Sequence, residues 1–394
     1  MTSTSLATSK PRVLVLSGWY PSILEPNNGD FVKEQIQLLR REGVLIDLIY
    51  VDLNIAYILS GKTKTRTKSY TDRYSNRGDI MSGPFWPKNQ SWGLNKWVKA
   101  YAKYVLHVLE KRGDDQLPQV IHAHTYLGGA VASIIQQRLG IKYIITEHYT
   151  GWLDGSIKDF HKKLATKAFQ NARSLYGVSP PLSKRLQEHT SANVETIPNF
   201  IDTSFFQPAS SKKKEPFHYI GVGDLITRKN WKDLILAFAE LTKSYPSSKL
   251  SIAGAGPMKG NLVRLIETLD LKSQISLPGH LDRNQLLQLI QSAHALVHTS
   301  KTETYGLSMV EAMACGLPVI SYPHQTASYI ISNTSLGIVT KTSSVMELAH
   351  AMENVNKNYP RYKPLEIRKY VESNFSASEV AKKIQSIYSK VAQE

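Results

Sequence analysis

A chain of 394 residues, 42% hydrophobic and 20% charged, has room for two α/β domains, each with its own core. No apolar run approaches the roughly 18–20 residues that span a bilayer, and the N-terminus lacks the apolar stretch of a secretory signal. The lone cysteine, Cys315, excludes an intramolecular disulfide or a cysteine-rich metal site, and the net charge of +16 points to an anionic partner.

In chain order, the apolar run 12–17 enters a loop rich in Gly, Pro and Asn that ends at Gly29-Asp30. Phe31, Val32, Ile36 and Leu39 then recur at helical spacing across 31–42, and 45–51 reads as a second strand. Residues 60–112 carry much of the charge: twelve Lys or Arg against three Asp or Glu, interleaved with Phe85, Trp86, Trp92 and Trp97. Cations with interfacial aromatics suit an anionic membrane surface. Nucleic acid attracts the same charge, but no DNA- or RNA-binding motif accompanies it. A solvated insertion whose tryptophans sit in the core is the plain alternative.

A helix over 95–109 follows, then a buried strand at 119–123. Segments 129–139, 143–146, 157–171, 174–178 and 181–188 continue as helix, strand, helix, strand, helix. Pro198, Pro208, Pro216 and the charged run 210–215 mark a linker. A second unit opens with strand 217–223 and helix 232–244. Its further strands lie at 249–253, 274–277, 294–299, 318–321 and near 337–339, before a last helix at 377–393. Strands alternating with helices imply an α/β protein with parallel sheets covered on both faces. The expected domains are 1–205, 206–376 and the terminal helix within 377–394.

The chemistry gathers at strand ends, where open α/β sheets bind ligands. Glu303 and Glu311 lie eight residues apart in Glu303-Thr-Tyr305-Gly306-Leu307-Ser308-Met-Val-Glu311. Gly306 permits a tight turn, and the helix from about 307 to 314 offers unpaired N–H groups to a diphosphate. Glu311 is placed to accept from a ribose diol, and Glu303 to hold hydroxyls of whatever the diphosphate carries. Gly221-Val-Gly223-Asp224 leads to Arg228 and Lys229, two cations for a departing diphosphate. Gly254-Ala-Gly256-Pro257 lacks the third glycine of a dinucleotide fingerprint. In the first domain, His122 and His124 share one face of a strand, with His124 at its edge. Two histidines with no acid or cysteine nearby are not a metal set. His122 reads as a core residue. Glu147 and His148 occupy another strand edge, and Gly29, Asp30 and Phe31 a helix start.

The stretch from Glu303 to Glu311 resembles the E-x7-E element of the retaining glycosyltransferases of family 4. The resemblance covers most of 221–321 and recurs in pieces from 13 to 202. It implies two facing Rossmann-like domains, the GT-B arrangement, with the C-terminal helix crossing back to the first domain. It implies a sugar moved from a UDP- or GDP-linked donor to a glycan or lipid-linked acceptor, with retention and no metal or other cofactor. Glu303, His124, Lys229 and Arg228 take the catalytic roles. Gly223, Gly254, Gly256, Pro257, His280, Tyr305, Gly306, Leu307, Ser308 and Glu311 join Arg228, Lys229 and Glu303 around the donor. Gly29, Asp30, Phe31, Glu147 and His148 take the acceptor.

The sequence departs from the family at three places. Asp224 stands where an arginine is usual, Phe200 replaces the glycine of a Pro-Asn-Gly hinge, and Pro323-His-Gln-Thr326 replaces a Gly-Gly and glutamate. The expected setting is bacterial surface polysaccharide or glycolipid assembly, in the cytoplasm at the inner face of the membrane, without nucleic acid. A sugar-nucleotide epimerase, a dinucleotide-dependent oxidoreductase and a catalytically idle binding subunit are the alternatives.

Overall fold

The computed structural model describes residues 10–21, 29–52, 66–71, 77–82, 90–210 and 215–394. It divides into two compact units, Met1–Asn199 with Val380–Glu394, and Phe200–Glu379.

The first unit contains β1 (Arg12–Ser17), α1 (Asp30–Arg41), β2 (Leu45–Asp52), β3 (Arg66–Thr71), β4 (Arg77–Ser82), α2 (Ser91–Glu110), β5 (Val120–His124), α3 (Thr125–Leu139), β6 (Lys142–Glu147), α4 (Asp159–Asn171), β7 (Ser174–Gly177), α5 (Pro180–Gln187) and β8 (Val194–Thr196). Its described strands form one sheet in the order β3-β4-β2-β1-β5-β6-β7-β8. Only the β3–β4 pair is antiparallel among them. The interior strands are apolar on both faces because helices cover both sides; β1 and β5 are almost wholly buried. The register pairs Ser17 with His124 and His124 with Thr146, so three strands end side by side.

The hairpin β3–β4 lies inside the basic segment and was not anticipated from the sequence. Lys62, Lys64, Phe85 and Trp86 of that segment fall outside the described residues. Helix α2 divides the remaining aromatics: Trp97 is fully buried, edge-on to Tyr101, whereas Trp92 is 53% exposed.

The second unit holds β9 (His218–Val222), α6 (Trp231–Thr242), β10 (Lys249–Ala253), α7 (Lys259–Thr268), β11 (Ile275–Gly279), α8 (Arg283–Ser292), β12 (Ala295–His298), α9 (Leu307–Ala314), β13 (Val319–Ser321), α10 (Gln325–Ile330), β14 (Gly337–Val339), α11 (Val345–Lys357) and α12 (Pro364–Phe375). The sheet order is β11-β10-β9-β12-β13-β14, all parallel. The order reverses beside β9, which makes the gap between β9 and β12 the switch point where ligands of such sheets bind. The last helix, α13 (Ala377–Gln393), returns the chain to the first unit, where Tyr388 is buried against His122. Among the described residues no helix is long and apolar enough to cross a membrane.

Candidate active site

In the second unit, the loops after β9, β10 and β12 meet at the switch point. The amide of Gly223 donates to the carbonyl of Ala253 and that of Leu225 to Ala255, which locks the first two loops together. A methyl group on Gly254 would sit 1.9 Å from the Gly223 carbonyl oxygen, so only glycine allows that approach. Beyond this lock a single helical turn, Thr227–Lys229, aims two cations at the next loop. Lys229 Nζ lies 2.7 Å from Glu303 Oε2, and Arg228 Nη1 lies 3.9 Å from Oε1. The Thr299 hydroxyl donates to the Lys229 carbonyl at 2.8 Å and fixes the turn.

Glu303 and Lys229 are largely buried, their side chains 11% and 15% exposed. Burial alone raises the Glu303 carboxyl, but the Lys229 ammonium and the adjacent His298 ring outweigh it and hold the group well below the usual carboxylate range. His298 ends β12 with its Nε2 3.7 Å from Glu303, and burial keeps its ring neutral. The cluster therefore carries two cations against one anion.

Behind Glu303 the chain turns at Gly306, in a left-handed conformation (φ 80°), and enters α9. Its first intrahelical bond runs from Met309 N–H to the Gly306 carbonyl, so the amides of Leu307 and Ser308 precede the ladder. Met309, Val310, Ala312 and Met313 bury the other face of α9 and hold it rigid. Glu311 lies on the half-exposed side, one turn in. Tyr305, expected beside the donor, has its ring in the core against Phe375, so its backbone alone borders the loop. Gly256, Pro257 and His280 sit exposed on the loops after β10 and β11.

In the first unit, His122 has both ring nitrogens satisfied, Nδ1 by Tyr388 at 2.6 Å and Nε2 by Thr146 at 2.8 Å, as expected of a core histidine. His124 differs. Its Nδ1 lies 2.9 Å from Nε2 of His148, and its own Nε2 is buried without a partner. The next residue, Thr125, adopts φ 66°, a strained conformation for a β-branched side chain, and its hydroxyl is also buried and unpartnered. Each such atom costs about 1–3 kcal/mol unless a water or a ligand supplies the missing bond. Phe31, at the start of α1, packs its ring 4.5 Å from that of His148. Gly29 is buried there in a left-handed turn, with Asp30 half-exposed beside it.

Glu147, expected on the acceptor side, is engaged within the fold. Its carboxylate is fully buried and accepts three backbone N–H bonds, from Tyr126, His148 and Tyr149, at 2.8–2.9 Å. It ties the loop after β6 to the start of α3 and so places His148 beside His124. Burial raises this carboxyl, and the three amides oppose that rise.

The chain matches two family models. Residues 31–205 match the family model "Glycosyltransferase Family 4", and residues 202–385 match "Glycosyl transferases group 1". Together the two span nearly the whole chain. It is a family 4 glycosyltransferase.

Among relatives of this glycosyltransferase, a glycogen synthase of Mycobacterium tuberculosis is 26% identical over 87% of this chain and 86% of its own. The putative teichuronic acid biosynthesis glycosyltransferase TuaC of Bacillus subtilis is 26% identical over 96% and 98%. The structure of Anabaena HepE in complex with UDP superposes with a TM-score of 0.73 at 15% identity, covering 96% of this chain and all of that one. The shared fold is GT-B.

The departures of this glycosyltransferase from its family have local accounts. Asp224 is exposed, and its carbonyl accepts from the Trp231 indole at 2.9 Å. Phe200 is buried. After β13, Thr326 donates to the Glu303 carbonyl at 2.6 Å, and His324 accepts the Ala327 amide on Nδ1. That bond puts the His324 proton on Nε2, a buried donor without a partner. His298 and His324 were not singled out from the sequence. Their positions at strand ends were the available signal, but a lone His or Ser there is usually a core or capping residue.

Proposed function

We propose that this glycosyltransferase moves a sugar from a UDP- or GDP-linked donor to a hydroxyl of a glycan or lipid-linked acceptor, with retention and without a metal ion. One observation carries the reading. Lys229 and Arg228 converge on Glu303 beside the Gly306 turn that opens α9. Two cations and a helix start are what a departing diphosphate needs, and they supply the charge stabilisation that a divalent ion provides elsewhere. The UDP carried by the HepE structure supports a nucleoside-diphosphate donor here as well.

In this reading the diphosphate lies against Leu307 and Ser308, with Lys229 and Arg228 on its oxygens and Glu311 on the ribose. The loops carrying Gly223, Gly254, Gly256, Pro257 and His280 border the nucleotide. Glu303 and His124 orient the sugar. The bond from the anomeric carbon to the diphosphate oxygen breaks, and the acceptor oxygen bonds to that carbon on the same face. The acceptor's proton passes to the departing oxygen. Positioning and electrostatics carry the rate. The loop of Gly29, Asp30 and Phe31 belongs to the acceptor side.

Helix α2 supports a membrane-proximal acceptor, with the protein peripheral at the inner face of the membrane. Trp92, Lys96, Lys99 and Lys103 fall on one exposed face, and Lys96 lies over the Trp92 ring at 5.3 Å.

Thermal shifts with UDP, GDP, ADP and NAD in EDTA test the donor. A ligand at about a hundred times its dissociation constant stabilises by roughly 2.7 kcal/mol. Stabilisation by UDP or GDP, followed by an NMR assignment of retained anomeric configuration in the product, is expected. A shift with NAD alone, or product only when a divalent ion is added, overturns the reading.

A further inference from the structure

Two cations hold the Glu303 carboxylate, and a diphosphate bound in this loop needs the same two. Lys229 Nζ lies 2.7 Å from Oε2, and Arg228 Nη1 lies 3.9 Å from Oε1. With its side chain only 11% exposed, Glu303 depends for its charge on neighbours rather than on water. A diphosphate drawn onto Lys229 and Arg228 turns the local surplus of cations into a surplus of anions. A largely buried carboxylate in that position must gain a new partner or a proton.

Two rings stand at this end of the sheet, their centroids 5.5 Å apart, and they differ. His324, just before α10, accepts the Ala327 amide on Nδ1, so a second proton there would break a bond of the fold. His298, at the end of β12, is 2% exposed, and neither of its nitrogens has a hydrogen-bond partner. It can therefore take up a second proton without losing a bond. Its Nε2 lies 3.7 Å from Glu303 Oε2, too long for a hydrogen bond but closed by a small rotation.

The charged and titratable groups facing His298 are Lys229 and Arg228 from the turn after β9, Glu303 from the loop after β12, and His324. Burial, Lys229 and Arg228 lower the ring's affinity for a proton, and Glu303 raises it. A diphosphate that neutralises the two cations leaves burial alone to oppose Glu303.

We infer that His298 is a positioning residue that takes over Glu303 when the donor binds: the diphosphate draws Lys229 and Arg228 onto its oxygens, and the His298 ring takes up a proton from solvent and holds the carboxylate. The inference rests on the reading that Lys229 and Arg228 bind a donor diphosphate. The ring gains one proton and its charge, and Glu303 stays ionised, able to accept from the sugar.

The test has an arm that needs no nucleotide. Nitrogen-15 NMR of the imidazoles in the full-length protein should show His298 neutral at neutral pH. In Lys229→Met, which removes the nearer cation, the ring should take up its proton at a higher pH than in the wild type. An unchanged titration overturns the coupling.

The second arm loads the site. With UDP or GDP at saturation and about pH 6, the His298 signals should move to the imidazolium pattern while His324 stays neutral. A His298 ring that stays neutral with nucleotide bound, or a proton found on His324 instead, overturns the inference and leaves the glycosyl-transfer reading standing. Binding of neither nucleotide overturns that reading and the inference with it.

The third arm uses His298→Asn, which keeps a donor near Glu303 but cannot change its charge. Proton uptake on binding makes affinity fall as pH rises. From about pH 6 to about pH 8 the wild type should therefore lose up to about tenfold per unit in nucleotide affinity relative to this variant. The nucleotide's own ionisation is common to both proteins and cancels. Parallel affinity curves, as a merely structural ring would give, overturn the inference. The variant's kcat should fall about tenfold at about pH 6, and a value within about twofold of wild type sinks the positioning role.

Discussion

Lys229 and Glu303 hold each other's charge in place, and that dependence decides what a substitution does. The Glu303 carboxyl is depressed in the folded chain because the Lys229 ammonium overcomes the effect of burial. Its stabilising contribution is therefore complete above the unfolded value of about 4.3 and fades as pH falls below it. Glu303→Gln leaves a largely buried ammonium without its anion. We expect a loss of about 1–3 kcal/mol near neutral pH. The gap in melting temperature between wild type and variant should then close as pH falls from about 4 toward 3. A gap of constant size down that range would show that the pair does not carry the effect. On activity, Glu303→Gln should abolish transfer while sparing UDP or GDP binding. Lys229→Met should cost about a hundredfold to a thousandfold in kcat, the usual price of one lost charge-stabilising donor.

At the scale of elements, what the sequence made legible follows from periodicity and turn chemistry. Interior strands such as β1, β5 and β12 are buried on both faces and read as apolar runs. Gly306 and Gly316 bracket α9 so clearly that its bounds were legible to the residue. Strand β3, with the sequence Arg-Thr-Lys-Ser-Tyr-Thr, has no such run, so the edge hairpin was invisible. The site was half legible. Motif spacing placed Glu303, Lys229 and His124, but spacing does not say which buried atom lacks a partner, and so Thr125, His298 and His324 were missed. Glu147 illustrates the same limit: a carboxylate at a strand edge looks like a ligand contact until its three amide donors are seen.

Helix α2 divides the tryptophans of the basic segment between core and surface. Burying Trp97 and exposing Trp92 leaves a basic face at 92, 96, 99 and 103. With each lysine adding about 1 kcal/mol near an anionic surface, replacing Trp92 by Ala and the three lysines by Gln should weaken vesicle binding about a hundredfold. Melting should barely change, since none of the four packs in the core. Flotation with phosphatidylcholine vesicles, with and without phosphatidylglycerol, reads this directly. Undiminished binding of the variant to the anionic vesicles would remove the membrane from the proposal.

At the scale of the whole molecule, buried neutral histidines set the acid limit of stability. Burial lowers His122, His148 and His324 to about 3, and His124 and His298 lie below their ordinary value as well. In the unfolded chain each titrates near 6.5, so between about 6.5 and 3 the unfolded state binds more protons than the folded one. Stability therefore rises with pH across that window and is lost as pH falls through it. Each proton taken up on unfolding contributes about 1.4 kcal/mol per pH unit. The load is unequal. His122, His124 and His148 lie in the first unit, and His298 and His324 in the second, where the depressed Glu303 acts only at lower pH. Calorimetry from about pH 7.5 to about pH 5 should show melting temperatures falling with pH, most steeply for the transition of the first unit. Replacing His122 by Gln, which keeps polar groups but cannot take up a proton, should flatten that dependence by about one proton's worth. An unaltered slope in that variant would mean that His122 takes up its proton in the folded chain as readily as in the unfolded one, and that the ring bonded to Tyr388 and Thr146 is not the neutral core residue its contacts describe.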